Sequence, residues 1–576
     1  MGFFNRKEFD NIIYRAKRRP LLAIKIMVDL GNLFFLRVFQ SVPWMRTADI
    51  HHAGRTRPVF LERLTNAAEP FDERILLPPF TQNDYTHLAA ICTERTDGAG
   101  DIEEYYFRHR WSQCIVAIWS DKQVAISALN EISEWIDIYK DHQKPEWEPY
   151  SSSERVANLA VLLAARPELM ENADQAKFVS FFRNSLYWID AHLEYYPGQR
   201  TNNHILNNAR AIVIAGSILG HIDSVEKGIR LFAEMAKQMI STNGFLRERS
   251  THYQVVIANW LMDTIWFAKA CIERSAIIYE YLHQLEAIAI NVSKATEKIV
   301  AGTLGLRSNI GDISPDVCPA VSLNRLRFLH NYRIDTVLNH GVDISDGWFF
   351  VCTNSQSITG NIPYPEYPLK YPTHGHNDLG SFIWAIEDRI ILSDAGRFRY
   401  TKDPVSQQQI VGQGHNCLLV DGFSPVAEPL NVNGGWNPGY YSSADIKVSQ
   451  IGENTMVLKH TGFDRIPNIT DHTRIITLGD NTMVVEDTIS GSSHHDIELR
   501  WHFHPSAKVE TENGKLVIQV ADKRIVCISS LQDESGSVRL SGYSDSQQYG
   551  TAIPAVCVQY SNHVILPITI KTTFSF

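Results

Sequence analysis

Residues 255–270, VVIANWLMDTIWFAKA, are apolar on nearly every side, and residues 348–351, WFFV, open a part of the chain with a different pattern. The first stretch contains no Gly or Pro and predicts a buried α-helix. Before it, apolar residues recur at helical spacing, as in 157–163 and 231–239. After residue 346 the period changes to two, as in 381–386 and 497–503, which predicts β-strands. The sequence therefore predicts helices followed by strands.

The two patterns predict two folding units, which follow a basic N-terminal segment. Residues 79–299 are typical of about ten helices with short polar or Gly/Pro-bearing links, which fits a toroid of helical hairpins. The many short strands after residue 346, with polar turns between them, predict an antiparallel β-sandwich. The change falls near residues 300–345, where Gly302, Gly305, Gly311 and Pro315 cluster. We expect a basic N-terminal segment at 1–60, a helical toroid at 61–320 and a β-sandwich at 321–576.

Composition excludes some classes of protein. The chain has 576 residues, 44% of them hydrophobic, and a net charge of −10, so no domain-wide basic field would attract nucleic acid. The charge does not exclude an anionic ligand in a locally positive cleft. The eight cysteines are scattered without a CxxC motif, which favours free thiols in a reducing compartment.

The N-terminal segment shows neither a secretory signal nor a spanning helix. Its apolar run, residues 20–39, is interrupted by Lys25 and Asp29. The segment is basic and partly amphipathic, which favours a helix packed on its own domain; docking of residues 1–40 on a membrane surface or a partner is the alternative. We expect a cytoplasmic protein, with membrane association as the alternative.

Two polar clusters interrupt the helical half. Residues 201–210, TNNHILNNAR, place four amides and His204 at the start of an apolar helix. One Asn there is often only a cap, but two Asn pairs around one His favour a site. Residues 244–253, GFLRERSTHY, run directly into the buried helix and place the phenol of Tyr253 at a cleft edge. A buried ring with a hydrogen-bonded hydroxyl is an equally good interpretation of Tyr253 alone.

A third cluster, residues 372–378, PTHGHND, lies in the β half. In an extended chain His374, His376 and Asp378 would point to one side, and these are ligand types that zinc prefers. Asp394 and His415 are further candidates. A simple hairpin through residues 387–389 would leave His376 and Asp394 out of register, so a shared metal requires the loop to fold back. The alternating histidines at 502 and 504 are typical of a structural polar face.

These clusters, in this order, resemble the heparinase II/III family of polysaccharide lyases and its alginate-lyase relatives. The resemblance covers roughly residues 145–505 and is carried by short motifs at 203–204, 248–253, 374–382, 394–400 and 415–422. It implies an incomplete (α/α) toroid followed by an antiparallel β-sandwich, with the active site in the cleft between them.

The resemblance also implies an activity, β-elimination across a 4-linked uronate. Asn203 with His204 would bind the uronate carboxyl group, and Tyr253 would be the acid and on some substrates also the base. His374 would be a second base or charge stabiliser, and Tyr400 would lie at the cleft wall. Asn202, Glu248 and Arg249 are the expected substrate-binding residues, and the expected partner is an acidic polysaccharide or oligosaccharide.

In metal-bearing members of that family, the ion is held at positions that match His376, Asp394 and His415. Two His and one Asp suit zinc, in a structural role that ties together three segments of the β half.

Two other functions remain open from the sequence. A glycoside hydrolase on a similar toroid would need two opposed carboxylates, whereas these clusters are rich in Asn, His and Tyr. A non-catalytic glycan-binding or assembly protein would keep the fold without the chemistry. The expected setting is a bacterial surface-polysaccharide system; the identity and sulfation of the uronate, internal or terminal cleavage, and the oligomeric state stay open.

Overall fold

The computed structural model describes Tyr14 and residues 109–140, 142, 145–171, 173–194, 203–329, 338–362, 374–401, 403–425, 445–512, 515–532 and 536–576. The predicted segment 1–60, apart from Tyr14, and the predicted site residue Asn202 lie outside these ranges. Among the described residues, no helix combines the length and the apolar character needed to cross a membrane.

The N-terminal part of the described chain is helical. Its helices are α1 (Gln113–Ala117), α2 (Lys122–Ile138), α3 (Pro149–Ala165), α4 (Gln175–Ala191), α5 (Asn203–Leu219), α6 (Ile222–Met239), α7 (Thr251–Lys269), α8 (Ala276–Gly302) and α9 (Pro319–Leu329). Side-chain oxygens cap several of their starts: Asp121 on α2, Asp174 on α4, Ser250 on α7 and Ser275 on α8.

Helix α5 is the centre of this domain because it packs against α3, α4, α6 and α7. Both α5 and α7 are buried along most of their length, as the apolar run at 255–270 predicts. Helix α9 packs on α7, so the helical domain extends to Leu329. The predicted boundary at residue 320 is therefore too early.

The C-terminal part is built from antiparallel strands. They are β1 (Gly341–Ser345), β2 (Trp348–Cys352), β3 (Gln356–Asn361), β4 (Ile383–Ile386), β5 (Arg389–Leu392), β6 (Leu418–Val420), β7 (Ile446–Gln450), β8 (Thr455–His460), β9 (Ile469–Leu478), β10 (Thr482–Gly491), β11 (His494–His502), β12 (Lys508–Glu512), β13 (Lys515–Val520), β14 (Lys523–Ser529), β15 (Ser537–Gln548), β16 (Thr551–Ile565) and β17 (Ile568–Ser575). A short helix, α10 (Pro404–Gln409), interrupts them between β5 and β6.

The described strands form three sheets. The five-stranded sheet has the order β1-β2-β3-β4-β5, the eight-stranded sheet β12-β13-β14-β17-β10-β9-β8-β7, and the four-stranded sheet β15-β16-β11-β6. One continuous apolar core receives side chains from all three, including Trp384, Trp501 and Phe574. This is a sandwich with a five-stranded and a four-stranded sheet facing the eight-stranded one.

The five-stranded sheet is buried on both faces, and it joins the two domains. Trp348 and Phe350 belong to the core of the helical domain, whereas Phe349 and Val351 belong to the core between the sheets. Since successive residues of a strand point to opposite faces, the run WFFV serves both cores at once. At the same interface, a Cβ on Gly302 would lie 2.0 Å from Thr359 Oγ1, so α8 reaches β3 through a glycine.

Residues 303–318, which we name the junction segment, connect α8 to α9 along this interface. Its backbone bonds to both domains: Thr251 N donates to Ile310 O (3.0 Å), and Asp312 N donates to His374 O (2.8 Å). The glycines and proline that mark a linker in the sequence thus belong to a segment held between the domains.

Candidate active site

A cavity of about 390 Å³ opens between the helical domain and the sheets. All five residues predicted to be catalytic line it: Asn203, His204, Tyr253, His374 and Tyr400. Three come from the starts of helices α5 and α7, and two come from loops of the β half. The cavity is therefore assembled from distant parts of the chain.

Tyr253 lies in the first turn of α7, where Ser250 caps the helix and accepts a hydrogen bond from the Tyr253 N–H (3.1 Å). Its hydroxyl oxygen is 3.1 Å from that of Tyr400, and the Tyr400 hydroxyl donates to Ile313 O (3.2 Å). The Tyr400 hydrogen can point to Ile313 O or to the Tyr253 oxygen, so either phenol can be the donor between them. Burial and the negative charge of Asp316 raise the pKa of Tyr253 well above its ordinary value, which keeps it a phenol.

His374 follows the end of a segment outside the described residues and lies against Tyr253, with ring centroids 3.6 Å apart. Its Nε2 is 3.1 Å from the amide Nδ2 of Asn203, and its Nδ1 is 3.2 Å from Asp312 Oδ2. The imidazole therefore touches an acid candidate on its face, an amide at one nitrogen and a carboxylate at the other.

His204, the next residue along α5, is held by a carboxylate. Its Nδ1 donates to Glu194 Oε1 over 2.8 Å. Burial alone lowers the pKa of His204, but the hydrogen bond to Glu194 and the negative charges of Glu194 and Glu148 outweigh burial and raise it. His204, which follows Asn203 in α5, therefore holds its proton more firmly than an ordinary imidazole.

The second Asn pair of this cluster has a structural role. Asn208 is buried and its amide donates to Glu194 Oε2 (3.2 Å) and to Ser153 Oγ (3.1 Å). It therefore orients the carboxylate that holds His204. Asn207 is buried as well and donates to the Tyr150 carbonyl.

Glu248 and Arg249, both predicted to bind substrate, do not line the cavity. Arg249 is buried over Gly375, where an added Cβ would lie 2.5 Å from its Nη2, and it bonds to Asn361 (3.3 Å) and Asp378 (3.4 Å). Its backbone has φ 58°, so the turn before α7 sends this side chain into the domain interface. These contacts are those of a clamp between the domains, and they do not support the substrate-binding prediction for Arg249.

Glu248 is also buried, and its Oε2 lies 3.7 Å from His374 Nε2. Its side chain is buried on the Nε2 side of the imidazole and does not line the cavity, so direct contact with a sugar is not supported. Asn202 lies outside the described residues.

Besides Pro315, four cavity residues were not among the predicted site residues: Arg110, Glu148, Tyr150 and Asp312. Arg110 pairs with Asp316 and lies over the Tyr150 ring at 4.6 Å, and the Tyr150 hydroxyl donates to Asp316 Oδ2 (2.8 Å). The two aspartates of the junction segment, in the motif GDISPD at 311–316, were the signal that could have found them. Their Gly and Pro neighbours favoured a linker instead.

The carboxylate of Asp312 lies between two histidines. Besides His374 it contacts His376, with Oδ1 2.9 Å from Nε2, and Arg397 Nε lies 3.3 Å from the same oxygen. Although burial raises the pKa of Asp312, the charge of Arg397 and the bonds to both imidazoles hold it well below the usual range. Asp312 is therefore a charged acceptor.

The three candidate metal ligands come together behind the cavity. His376, Asp394 and His415 each offer one donor atom, and these atoms lie within 4.8 Å of one another. A turn in which Ser381 N donates to Asp378 O, and a bulge between β4 and β5 at Trp384–Ala385, fold the chain back so that His376 reaches Asp394. That removes the register problem of a simple hairpin.

The donor set fits a divalent metal. His415 Nδ1 is 2.8 Å from Asp394 Oδ2, while His376 Nδ1 and His415 Nε2 are buried and have no hydrogen-bond partner among the described residues. Buried ring nitrogens without partners cost free energy unless something else binds them. Two imidazoles and a carboxylate are the ligands of zinc.

The two histidines predicted to be structural lie outside the cavity. His502 is buried and meets Tyr543 edge to face at 4.7 Å, and His504 bonds to Ser506.

Residues 355–571 match the family model described as heparinase II/III-like, C-terminal. Over these residues the C-terminal domain is similar to that family domain, and we refer to it below as the heparinase II/III-like domain. The predicted resemblance is thereby confirmed for this part of the chain, which supplies His374, Tyr400 and the three candidate metal ligands. The comparison with curated protein sequences returned no match.

Solved structures extend the likeness to both domains. Heparinase III is similar with a TM-score of 0.63 at 14% identity, over 89% of this chain and 88% of that one. A mutant of the heparan sulfate lyase HepC from Pedobacter heparinus has a TM-score of 0.55 at 16% identity, over 90% of this chain and 86% of that one. A second heparinase III has a TM-score of 0.54 at 13% identity, covering 91% and 86%. At these sequence identities the likeness shows the fold alone. It confirms the predicted order of a helical toroid followed by an antiparallel sandwich.

The heparinase II/III-like domain supplies His374 and Tyr400 to the cavity. Asn203, His204 and Tyr253 belong to the helical domain and lie outside the matched range. The site is complete only where the two domains meet.

Proposed function

We propose that this chain is a polysaccharide lyase that cleaves a uronic-acid-containing glycan by β-elimination. The observation that carries the proposal is the stack of Tyr253 on His374, with the Asn203 amide at the same imidazole, inside a cavity between two domains. In this reaction the C5–H bond and the bond from C4 to the glycosidic oxygen break, and a C4–C5 double bond forms.

The first requirement is to stabilise charge on the uronate carboxyl group when the C5 proton leaves. The Asn203 amide supplies N–H donors, and the raised pKa of His204 favours its positively charged form in the next residue. Donors aimed at charge that develops in the transition state are usually the largest single contribution to catalysis. We assign Asn203 and His204 to this role.

The second requirement is a base and an acid. His374 presents Nε2 toward Asn203 and can accept the C5 proton, whereas the raised pKa of Tyr253 favours the phenol form and hence donation to the leaving oxygen. Tyr400, whose hydroxyl is 3.1 Å from that of Tyr253, can stabilise the phenolate after transfer. Water restores both groups.

A zinc ion held by His376, Asp394 and His415 would bind together three segments of the heparinase II/III-like domain. His376 is two residues from His374, so this site would steady the loop that carries the base. We propose a structural zinc ion for this place.

The carboxylates at the cavity do not favour a glycoside hydrolase. Both oxygens of Glu148 accept backbone N–H groups at the start of α3, and Asp312 is engaged with two histidines. Neither is arranged as one of two opposed carboxylates across a sugar.

We propose a role in a bacterial surface-polysaccharide system, inside the cell. The support is chemical: all seven described cysteines are free thiols, which suits a reducing compartment. Recovery of the native protein from a periplasmic or extracellular fraction would overturn this setting.

The activity is tested by incubating the protein with a panel of uronate polymers. Elimination creates a conjugated C4–C5 double bond that absorbs ultraviolet light. We expect this absorbance with the wild type and not with Tyr253→Phe. New reducing ends without that absorbance would indicate a hydrolase. Binding of a polymer with neither signal would indicate a glycan-binding protein, and either result would overturn the proposal.

A further inference from the structure

The carboxylate of Asp312 contacts both histidines of the His-Gly-His motif. Its Oδ2 lies 3.2 Å from Nδ1 of His374, and its Oδ1 lies 2.9 Å from Nε2 of His376. One histidine faces the cavity and the other belongs to the candidate metal cluster. A single carboxylate therefore connects the cavity to the candidate metal cluster.

The backbone fixes where this carboxylate stands. Asp312 N donates to His374 O (2.8 Å), and Ser250, the cap of the helix that carries Tyr253, donates its hydroxyl to Asp312 O (2.7 Å). Gly311 has φ 78°, and a Cβ there would lie 2.6 Å from the carbonyl oxygens of Arg249 and His374. The chain is packed so closely here that the Asp312 side chain has little freedom to move away.

Hydrogen-bond polarity then determines which ring nitrogens carry hydrogen. An ionised carboxylate only accepts, so Nδ1 of His374 and Nε2 of His376 must each donate to Asp312. At the other nitrogen of His374, Nε2, the Asn203 amide lies at 3.1 Å and donates, while the Glu248 carboxylate lies 3.7 Å away, beyond hydrogen-bond distance. The remaining nitrogen of His376, Nδ1, is buried with no hydrogen-bond partner among the described residues.

We propose that Asp312 is a positioning residue that sets the tautomers of both histidines. His374 then presents an unprotonated Nε2 to the cavity, as a base must, and His376 keeps an unprotonated Nδ1 for a metal shared with Asp394 and His415. The catalytic consequence rests on the proposed lyase function, but the tautomers do not. Orienting carboxylates behind histidines serve bases and metal ligands in the same way.

The direct test is nuclear magnetic resonance of the ring nitrogens in the protein as purified, labelled with ¹⁵N-histidine, at neutral to mildly alkaline pH. Long-range proton–nitrogen correlations distinguish protonated from unprotonated nitrogens, and His374→Gln and His376→Gln assign the two rings. We expect hydrogen on Nδ1 of His374 and on Nε2 of His376. The opposite tautomer at either ring, or hydrogen on both nitrogens, overturns the proposal.

Asp312→Asn supplies the second measurement. An amide offers one acceptor oxygen where the carboxylate offers two, so at least one ring loses its acceptor and its tautomer signals shift. Glu194→Gln is the matched control, because it removes a carboxylate from His204 and is expected to leave His374 and His376 unchanged. Unchanged tautomers in Asp312→Asn overturn the proposal. If that variant does not fold, the wild-type spectrum still decides.

Activity adds a readout that a merely structural role would not produce. With a cleaved polymer, Asp312→Asn should lower kcat about 10-fold or more with KM within about 3-fold, because the residue acts through the base and not through substrate contacts. In a His374→Ala background the same change should lower kcat no further, since the two act as one unit. An additive loss overturns the proposal. If wild type cleaves no polymer, the lyase function fails while the spectra still judge Asp312.

Discussion

The phenol ring of Tyr253 lies flat against the imidazole of His374, with centroids 3.6 Å apart and planes 10° from parallel. One residue belongs to the first turn of α7 and the other to a loop of the heparinase II/III-like domain. The proposed acid and base are therefore set relative to each other by the docking of two domains. A small shift at that interface would separate them, which makes the contacts of the junction segment important for catalysis.

Removing only the Tyr253 hydroxyl should abolish elimination and leave the fold intact. Tyr253→Phe keeps the ring on His374 and loses one hydrogen bond, worth about 1 kcal/mol of stability. We expect the rate to fall by roughly 100-fold or more, since the acid is gone. Tyr400→Phe is the matched control, because it removes the neighbouring hydroxyl and keeps the acid; its loss should be smaller. Retention of most activity by Tyr253→Phe, measured by ultraviolet absorbance, would contradict the assignment.

The junction segment should tolerate no side chain at Gly311. Gly311 and Gly422 both have positive φ, 78° and 76°, so Ala at either position carries backbone strain of about 1–2 kcal/mol. At Gly311 the added Cβ would also meet two carbonyl oxygens at 2.6 Å, whereas at Gly422 nothing lies within 4 Å. Gly311→Ala should lower the thermal unfolding midpoint clearly more than Gly422→Ala. Equal midpoints would show that the segment is less tightly held than its contacts indicate.

Zinc content should depend on the buried cluster. His415→Ala or Asp394→Asn is expected to lose the metal found by mass spectrometry in the purified protein and to lower the unfolding midpoint. A chelator should do the same to wild type, and added zinc should reverse it. The control is His495→Ala, which breaks another His–Asp pair of 2.8 Å, with Asp421, outside the cluster. Wild-type protein without stoichiometric metal, or loss of metal from the control, would contradict the zinc site.

Much of the architecture could be predicted because it follows from local patterns. The long apolar run at 255–270 is a buried helix, and the short apolar run WFFV at 348–351 is a strand, as expected from their composition and length. The predicted catalytic residues could be found because polar side chains interrupt otherwise apolar elements. The division of the strands into three sheets could not be predicted, since pairing such as β14 with β17 depends on contacts between distant residues.

The residues that were missed or misplaced share a physical reason. Asp312 stands in a Gly- and Pro-bearing stretch typical of a linker, and its role appears only when two domains close on it. Arg249 belongs to the motif at 248–253, but the positive φ of its backbone turns the side chain into the interface between the domains. Local pattern identifies which residues are unusual, whereas direction and partner are set by tertiary structure.

Acid should destabilise the protein through His252, which lies beside Tyr253 in α7. Its Nδ1 accepts the Ser314 N–H (3.1 Å), so the ring must be unprotonated in the fold. Burial is the main cause that lowers the pKa of His252 from 6.5 to about 3. Because the unfolded chain binds this proton more readily, the stabilisation is complete above pH 6.5 and is lost as the pH falls from 6.5 toward 3. One such group changes the free energy of unfolding by at most about 1.4 kcal/mol per pH unit.

His252→Asn keeps an acceptor oxygen near the position of Nδ1 and does not titrate, so its unfolding midpoint should match wild type near pH 8 and fall less steeply below pH 6. Parallel curves for the two proteins, measured by thermal unfolding across this range, would show that His252 carries no such penalty.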